Sequence, residues 1–464
     1  MYFISTRGGA PRASFADVLL AGLAPDGGLY LPESWPQFSA AEIAGFQGKP
    51  YQAVAYDVLS RFAGDSFTDA ELKADIQAAY AGFDNPAIAP LRQIAPSSNA
   101  SQYLLELFHG PTFAFKDIAL QILGRLFARA LSRRGGKVTI VAATSGDTGS
   151  AAIAALGGLP NIEVFVLHPR GRVSEVQRRQ MTTSSHANVH NVALEGSFDD
   201  AQGLVKDLFA EVQFARQIGL TAVNSINFAR IAAQAVYYFT ATAALGKPAT
   251  FVVPTGNFGD IFAGEAAMRM GLNVARLVIA TNANDIMARA LNDGVYASGA
   301  SHATLSPSMD IQVASNFERA LFEAAGRDGE WVAAAMSDFA KTRKLVLPAP
   351  VLEQLRARYS ADACNDADTL ATIKTIAAET GQVIDPHTAV AVHAARRIQA
   401  SATPTVILST AHPAKFPDAV ARAIGRDPGM PDGLKKVMDL PEKLDILPND
   451  LSLLRQFISS RLTS

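Results

Sequence analysis

The sequence predicts an α/β fold with parallel strands, and three observations carry that prediction. From Tyr103 onward, short β-branched or aliphatic runs alternate with helical stretches, the pattern of βαβ units in which parallel strands are joined by crossover helices. Six runs read clearly as strands: Val138 to Ala142, Val164 to His168, Val189 to Leu194, Phe251 to Pro254, Val274 to Ala280 and Thr405 to Ser409. The loops that follow several of them are rich in glycine and hydroxyl residues, at the strand ends where open α/β sheets bind ligands.

The remaining elements follow from periodicity. Ser14 to about Pro96 reads as a helical section, with apolar spacing at Phe15, Val18, Leu19 and again at Val54, Val58, Leu59, Phe62. The turn Pro25-Asp26-Gly27-Gly28 leads into the short run Leu29-Tyr30-Leu31. A helix over Asp117 to Ala130 places Ile118, Ile122 and Leu126 on one face. Phe228 to Leu245 is the most membrane-like stretch, but Arg230 and Gln234 interrupt it, which predicts a helix buried in a large core. Strand signals fade between Ala283 and Arg397, and helices dominate there.

Composition narrows the function. With 464 residues, 49% hydrophobic and 18% charged, the chain suits a soluble protein of enzyme size. A net charge of −2 provides no global attraction for nucleic acid or anionic membranes. One cysteine, Cys364, supports neither an intramolecular disulfide nor a cysteine-based zinc site, in keeping with a reducing compartment. Gly8, Gly9 and Pro11 stand where a signal peptide needs an apolar core, so the expected location is the cytosol.

Three loops hold groups suited to chemistry. The run from Phe251 through Pro254-Thr255-Gly256-Asn257-Phe258-Gly259-Asp260 passes from a buried strand into a helix starting near Ile261. Its glycines admit an anion to the backbone and the N–H groups of the helix start face it, which makes a phosphate cradle without a lysine. A plain glycine turn with Asp260 as N-cap is the alternative. The run Thr144-Ser145-Gly146-Asp147-Thr148-Gly149 leads from a strand into a helix over Ser150 to Leu156, and its hydroxyls and N–H groups suit a carboxylate. It lacks the third glycine of a dinucleotide fingerprint and the second acidic copy of an aspartic protease.

In the third loop, Phe108-His109-Gly110-Pro111-Thr112-Phe113-Ala114-Phe115-Lys116-Asp117, the lysine lies between aromatic residues at a helix start. Desolvation and the helix dipole both disfavour its charge, and a neutral amine is what Schiff-base chemistry needs. The plain alternative is an exposed lysine beside an Asp117 that caps the helix. An activated lysine, an anion cradle and a carboxylate loop on one scaffold point to pyridoxal 5'-phosphate acting on an amino acid. Thr410, ending the strand Thr405 to Ser409, offers a neutral hydroxyl to the pyridine nitrogen, or is a simple strand-end turn residue.

Taken in order along the chain, these motifs resemble the threonine synthases of the bacterial and fungal type, within the tryptophan-synthase-β-like (fold type II) group of pyridoxal phosphate enzymes. The resemblance covers most of the chain. It includes Gly22 to Pro32, Phe108 to Asp117, Thr144 to Gly149, Gly256 to Asp260, Asp385-Pro386-His387-Thr388-Ala389 and Ser409-Thr410-Ala411-His412-Pro413-Ala414-Lys415-Phe416. It implies two parallel-sheet α/β domains with the cofactor between them: a helical section over 1–95, a large domain from 96–135 and 226–425, a small domain over 136–225 and a C-terminal extension over 426–464. It makes Lys116 the Schiff-base lysine and catalytic base, Gly256, Asn257, Phe258, Gly259 and Asp260 the cofactor-phosphate loop, and Thr410 the pyridine-nitrogen partner. Ser145, Gly146, Asp147 and Thr148 form the loop that closes on the substrate carboxylate, and Asp147 is also a candidate partner for the cofactor's phenolic oxygen.

The implied reaction converts O-phospho-L-homoserine and water to L-threonine and phosphate. A phosphate ester needs its own anion site, for which Asn224-Ser225-Ile226-Asn227 and Arg230 at a helix start are candidates. The alternative there is a helix cap with a solvated Arg230. Arg170, Arg172 and Lys206 are further candidates without a ranking. His186 and His190 have a ligand-like spacing but no carboxylate between them, so no metal is expected. Asp385-Pro386-His387 reads as an N-cap with proline in the first turn. Two rivals remain: a lyase of the same scaffold that releases 2-oxobutyrate, separable by product analysis, and a non-catalytic binder, against which the intact Lys116 argues. A monomer or homodimer is expected, and no S-adenosylmethionine site.

Overall fold

The computed structural model describes residues 1–95, 101–221, 225–398 and 403–462. Its larger sheet has the strand order Tyr359–Ala363, Arg276–Thr281, Thr250–Pro254, Thr405–Ser409, Gln102–Glu106, Leu91–Ala95. Every neighbouring pair is parallel except the last, where Leu91–Ala95 runs antiparallel and closes the edge. The smaller sheet has the order Asp445–Pro448, Val189–Glu195, Ile162–Pro169, Val138–Ala143, Leu220–Thr221, parallel throughout. The chain is thus α/β with two parallel sheets, and all six strands expected from the sequence are present.

Three departures have physical causes. Tyr359–Ala363, within the stretch where strand signals fade, carries the sequence Tyr-Ser-Ala-Asp-Ala with no β-branched residue; it forms by backbone pairing at the outer edge of the larger sheet rather than by propensity. The N-terminal section is mainly helical, over Phe15–Ala21, Ala40–Ala44, Tyr51–Ala63 and Asp69–Tyr80. It also holds the strand Tyr30–Pro32, paired antiparallel with Phe3–Ser5. Residues past 426 supply the outer strand Asp445–Pro448 of the smaller sheet and the helix Leu451–Leu462, whose Leu454 and Ile458 enter that sheet's core.

Phe228–Leu245 is a helix in the main core, as its interrupted apolar run predicts. Its Phe228 ring meets Phe3 at 5.1 Å and Phe62 at 5.2 Å, and Val54, Val58, Leu59 and Phe62 bury the predicted face of Tyr51–Ala63 against it. No helix among the described residues is long and apolar enough to cross a membrane. Two helices carry the principal functional side chains: Lys116–Arg134, after a strand of the larger sheet, and Asp147–Leu156, after a strand of the smaller one. They pack closely at Gly124, where an added Cβ would lie 2.6 Å from the Ala155 carbonyl oxygen. Because the obstacle is backbone, Gly124→Val forces the two helices apart. We expect a loss of about 1–3 kcal/mol, measured by denaturant unfolding.

Candidate active site

Lys116 opens its helix, and the turn before it is fixed by backbone bonds to the loop after Thr405–Ser409. Phe115 N–H donates to the Thr410 carbonyl at 2.8 Å and His412 N–H to the Phe113 carbonyl at 3.1 Å. Asp117 does not cap the helix; its buried carboxylate accepts from the N–H and hydroxyl of Thr112, both at 2.7 Å, and so holds the turn. Burial raises the Asp117 carboxyl to about 6 against those two bonds. Lys116 is buried, its Nζ 4.7 Å above the Phe115 ring. Phe113, the other aromatic flank, belongs instead to a small apolar cluster with Val176, Ala414 and Leu434. Burial pushes the Lys116 amine below the usual lysine range, Asp147 opposes this, and Arg230 and Lys415 add to it.

Asp147 lies in the first turn of its helix, which starts three residues earlier than expected and shortens the preceding loop. In that loop the Thr144 hydroxyl accepts from Gly146 N–H at 2.9 Å and Gly149 N–H at 2.8 Å. Gly146, at φ 133°, faces Gln177, whose side-chain carbon would be 2.5 Å from a Cβ there. Ser145 and Thr148 are half-buried. The Asp147 carboxylate turns toward Lys415 Nζ at 2.8 Å and Lys116 Nζ at 3.7 Å, and accepts from Gln177 at 2.9 Å and Ser308 Oγ at 3.3 Å. Burial opposes its ionisation, but the two lysines prevail and hold it far below the usual carboxylate range. A carboxylate so occupied repels a substrate carboxylate, so within 145–148 the hydroxyls and N–H groups are what remain for one.

The loop after Thr250–Pro254 runs through Gly256 into the helix Gly259–Arg269. Phe258 takes a left-handed φ of 64° and precedes the helix with no side-chain cap, which leaves the first-turn N–H groups without a side-chain acceptor. Packing of its ring 5.4 Å from Phe317 and 5.4 Å from Tyr359 offsets the backbone strain. A Cβ on Gly256 would lie 2.6 Å from the Ser308 carbonyl oxygen, so this position needs glycine. Asn316 supports the loop from beneath, N–H to the Asn257 carbonyl at 3.0 Å, and is itself held by fully buried Arg319. Asp260 is inside the helix rather than a cap; Tyr237 donates to it, and burial nevertheless raises it to about 7.

Residues 2–80 match the family model for the threonine synthase N terminus, 85–349 that for pyridoxal-phosphate dependent enzymes and 388–458 that for the threonine synthase C-terminal part. The threonine synthase of Pseudomonas aeruginosa is 49% identical over 99% of this chain and 98% of its own. The chain belongs to the threonine synthase family. Among solved structures, pyridoxal-phosphate-bound threonine synthase from Brucella melitensis superimposes with a TM-score of 0.96 at 47% identity, covering 99% of both chains. Yeast threonine synthase does so at 0.95 and 38%, covering 100% of this chain and 99% of that one.

Pyridoxal phosphate is the cofactor of this threonine synthase family, and the residues present fit it: a desolvated amine, a glycine loop at an uncapped helix start, and a buried guanidinium. That guanidinium is Arg230, 4% exposed, whose Nε has no hydrogen-bond partner among the described residues. Burial pushes it down to about 10. It is therefore not the solvated arginine of the plain alternative. Asn227 departs from its expected role. Its amide caps the helix through Ala229 N–H at 3.0 Å and donates to the Leu19 carbonyl at 2.8 Å, so both ends are occupied. The Ser225 carbonyl accepts from Asn316 at 3.0 Å, while Asn224 lies outside the described residues. Arg170, Arg172 and Lys206 are exposed, Arg170 paired with Glu195; His190 pairs with Glu163.

Sequence reasoning passed over Lys415, Ser308 and Gln177 as site residues, although Lys415 stands in a quoted motif. It also read Asp385-Pro386-His387 as a cap alone. Asp385 does cap its helix, but His387 reaches on to Ser308 N–H at 3.2 Å, and Thr388 to Ser409 at 3.1 Å. Nearby, His109 bridges Asp84 at 2.7 Å and Glu106 at 3.0 Å. Burial lowers its pKa, but the two carboxylates prevail and raise it above 6.5. A raised histidine contributes stability that is complete below the unfolded value and lost as pH rises through the folded one. We expect His109→Gln to cost about 1 kcal/mol or more near pH 5 and much less near pH 9, read from denaturant midpoints at the two values.

Proposed function

We propose that this chain converts O-phospho-L-homoserine and water to L-threonine and phosphate, with Lys116 as its covalent and acid–base residue. The observation that carries this reading is the desolvated Lys116 amine, set beside a charge-satisfied Asp147 and within the field of a buried Arg230. Pyridoxal phosphate, when bound, supplies an aldehyde that bonds amines and a ring that delocalises the electron pair left by a departing proton. Lys116 then holds that aldehyde in the resting enzyme. Once the substrate amine displaces it, the freed Nζ takes the proton from Cα and then one from Cβ, after which phosphate leaves Cγ. The same amine delivers a proton to Cγ, water adds at Cβ, and Lys116 releases threonine.

The remaining roles follow from charge and placement. The N–H groups over Gly256 to Asp260 hold the cofactor phosphate, and the Thr410 hydroxyl faces the pyridine nitrogen as a neutral partner. Ser145, Gly146 and Thr148 bind the substrate carboxylate through hydroxyls and N–H groups, while Arg230, with Ser225 beside it, faces the substrate phosphate. The cofactor lies between the unit built on the larger sheet, 96–135 with 226–425, and that built on 136–225. We place the enzyme in the cytoplasm as a monomer or homodimer, for which buried, unpaired Cys364 gives support and gel filtration a check.

Incubation of the purified protein with O-phospho-L-homoserine should yield threonine and phosphate in equal amounts. Phosphate accompanied by 2-oxobutyrate would instead assign a lyase outcome. Lys116→Ala should lower turnover by about a thousandfold or more, because it removes the covalent and proton-transfer group together.

A further inference from the structure

Lys415 is fully buried, so it touches neither solvent nor substrate. It lies in the 3-10 turn Pro413–Lys415, five residues past Thr410. Its Nζ makes two directed contacts: Asp147 Oδ1 at 2.8 Å, and the Thr112 carbonyl at 2.7 Å, in the turn that presents Lys116. Its own carbonyl accepts from Ser174 Oγ at 3.2 Å, just before the helix that carries Gln177. Lys415 thus joins the larger-sheet loop, the Lys116 turn and the first turn of the Asp147 helix. One carboxylate is shared by two lysines unequally, at 2.8 Å and 3.7 Å, and Gln177 and Ser308 fill more of its acceptor positions.

Resting on the reading of Lys116 as the amine that bonds the cofactor, we infer that Lys415 is a positioning residue: by engaging Asp147 and Thr112 it keeps that carboxylate from ion-pairing with Lys116, and so leaves the Lys116 amine free to attack the cofactor aldehyde. Without Lys415, the nearest cation left to Asp147 is Lys116 itself. An uncompensated buried carboxylate draws a proton onto the neighbouring amine, and a protonated amine has no lone pair to donate. The charged groups that face Lys116 are Asp147 and Lys415, Arg230 from the helix Phe228–Leu245 and Asp117 on its own helix. Of these, only Lys415 is bonded to Asp147.

The test uses the full-length chain stripped of cofactor with hydroxylamine and re-exposed to pyridoxal phosphate at a series of pH values. The amine adds to the aldehyde carbon with loss of water, borohydride reduces the resulting C=N bond, and peptide mass locates and quantifies the label. Lys415→Met should move the pH midpoint of the attachment rate upward by about one unit or more, an approximately tenfold loss at neutral pH. Lys415→Met with Asp147→Asn should restore the rate to within about threefold of wild type, because the carboxylate that traps the proton is gone. An unshifted midpoint in folded Lys415→Met, or an equal loss in the single and double variants, would overturn the inference. If Lys415→Met lacks the wild-type far-UV circular dichroism, Asp147→Asn alone decides: its midpoint should stay or fall, and a rise would count against Lys415. A wild-type label on a lysine other than Lys116 would overturn the reading of Lys116 itself.

Discussion

Asp147 is 3% exposed, and a carboxylate so placed survives as an anion only if cations and donors surround it. Those that do so come from separate parts of the chain: Lys116 from the helix after Gln102–Glu106, Lys415 from the loop after Thr405–Ser409, Ser308 from the turn Pro307–Met309, and Gln177 from the neighbouring helix of the smaller unit. Satisfying one buried charge therefore fixes where four segments meet. The two sheets each present a strand-to-helix transition to this point, and the close approach at Gly124 sets the spacing between the two helices. Moving either helix withdraws a partner from Asp147, so the packing of the units and the protonation of the site are one problem.

The polar groups behind the site extend this constraint outward. Ser308 accepts nothing at random: its hydroxyl faces Asp147, its N–H faces His387, and its carbonyl fills the space that a side chain at Gly256 would need. His387 in turn leans on Asp385, 2.7 Å away, which caps the helix Pro386–Arg397. A helix cap in the larger unit is thus connected, through one serine, to both the anion loop and the lysine pair. Arg319 and Asn316 perform the matching task on the other side of the anion loop, where Arg319 also donates to the carbonyls of Tyr30 and Ile226. Chains of donors with every member occupied hold a site rigidly, because no bond can lengthen without exposing a buried polar atom.

What the sequence made legible were features encoded locally. Strands rich in valine and isoleucine, glycine loops after them and a lysine between aromatic residues are all written within ten or so residues, and they appear where expected. Phe228–Leu245 could be recognised as core rather than membrane because Arg230 interrupts it, yet nothing nearby reveals that Arg230 is buried. The roles of Lys415, Gln177 and Ser308 depend on contacts across 268, 30 and 161 positions to Asp147, beyond any local pattern. Asn227 shows the converse: a residue of the right chemistry at a helix start was spent on capping and on Leu19. Tyr359–Ala363 was hidden because an edge strand can be held by its neighbour's backbone with little help from its side chains.

The strand Asp445–Pro448 pairs with Val192 to Glu195, more than two hundred positions earlier in the chain. During synthesis from the N-terminus, the smaller sheet must therefore wait, with the flank of Val189–Glu195 unpaired, until nearly the whole polypeptide has been made. Closing so long a loop is slow compared with forming the helices around it. The last step in maturation is then the arrival of the C-terminal segment, and a ribosome that stalls late would leave a nearly complete enzyme with a sheet edge open to other chains.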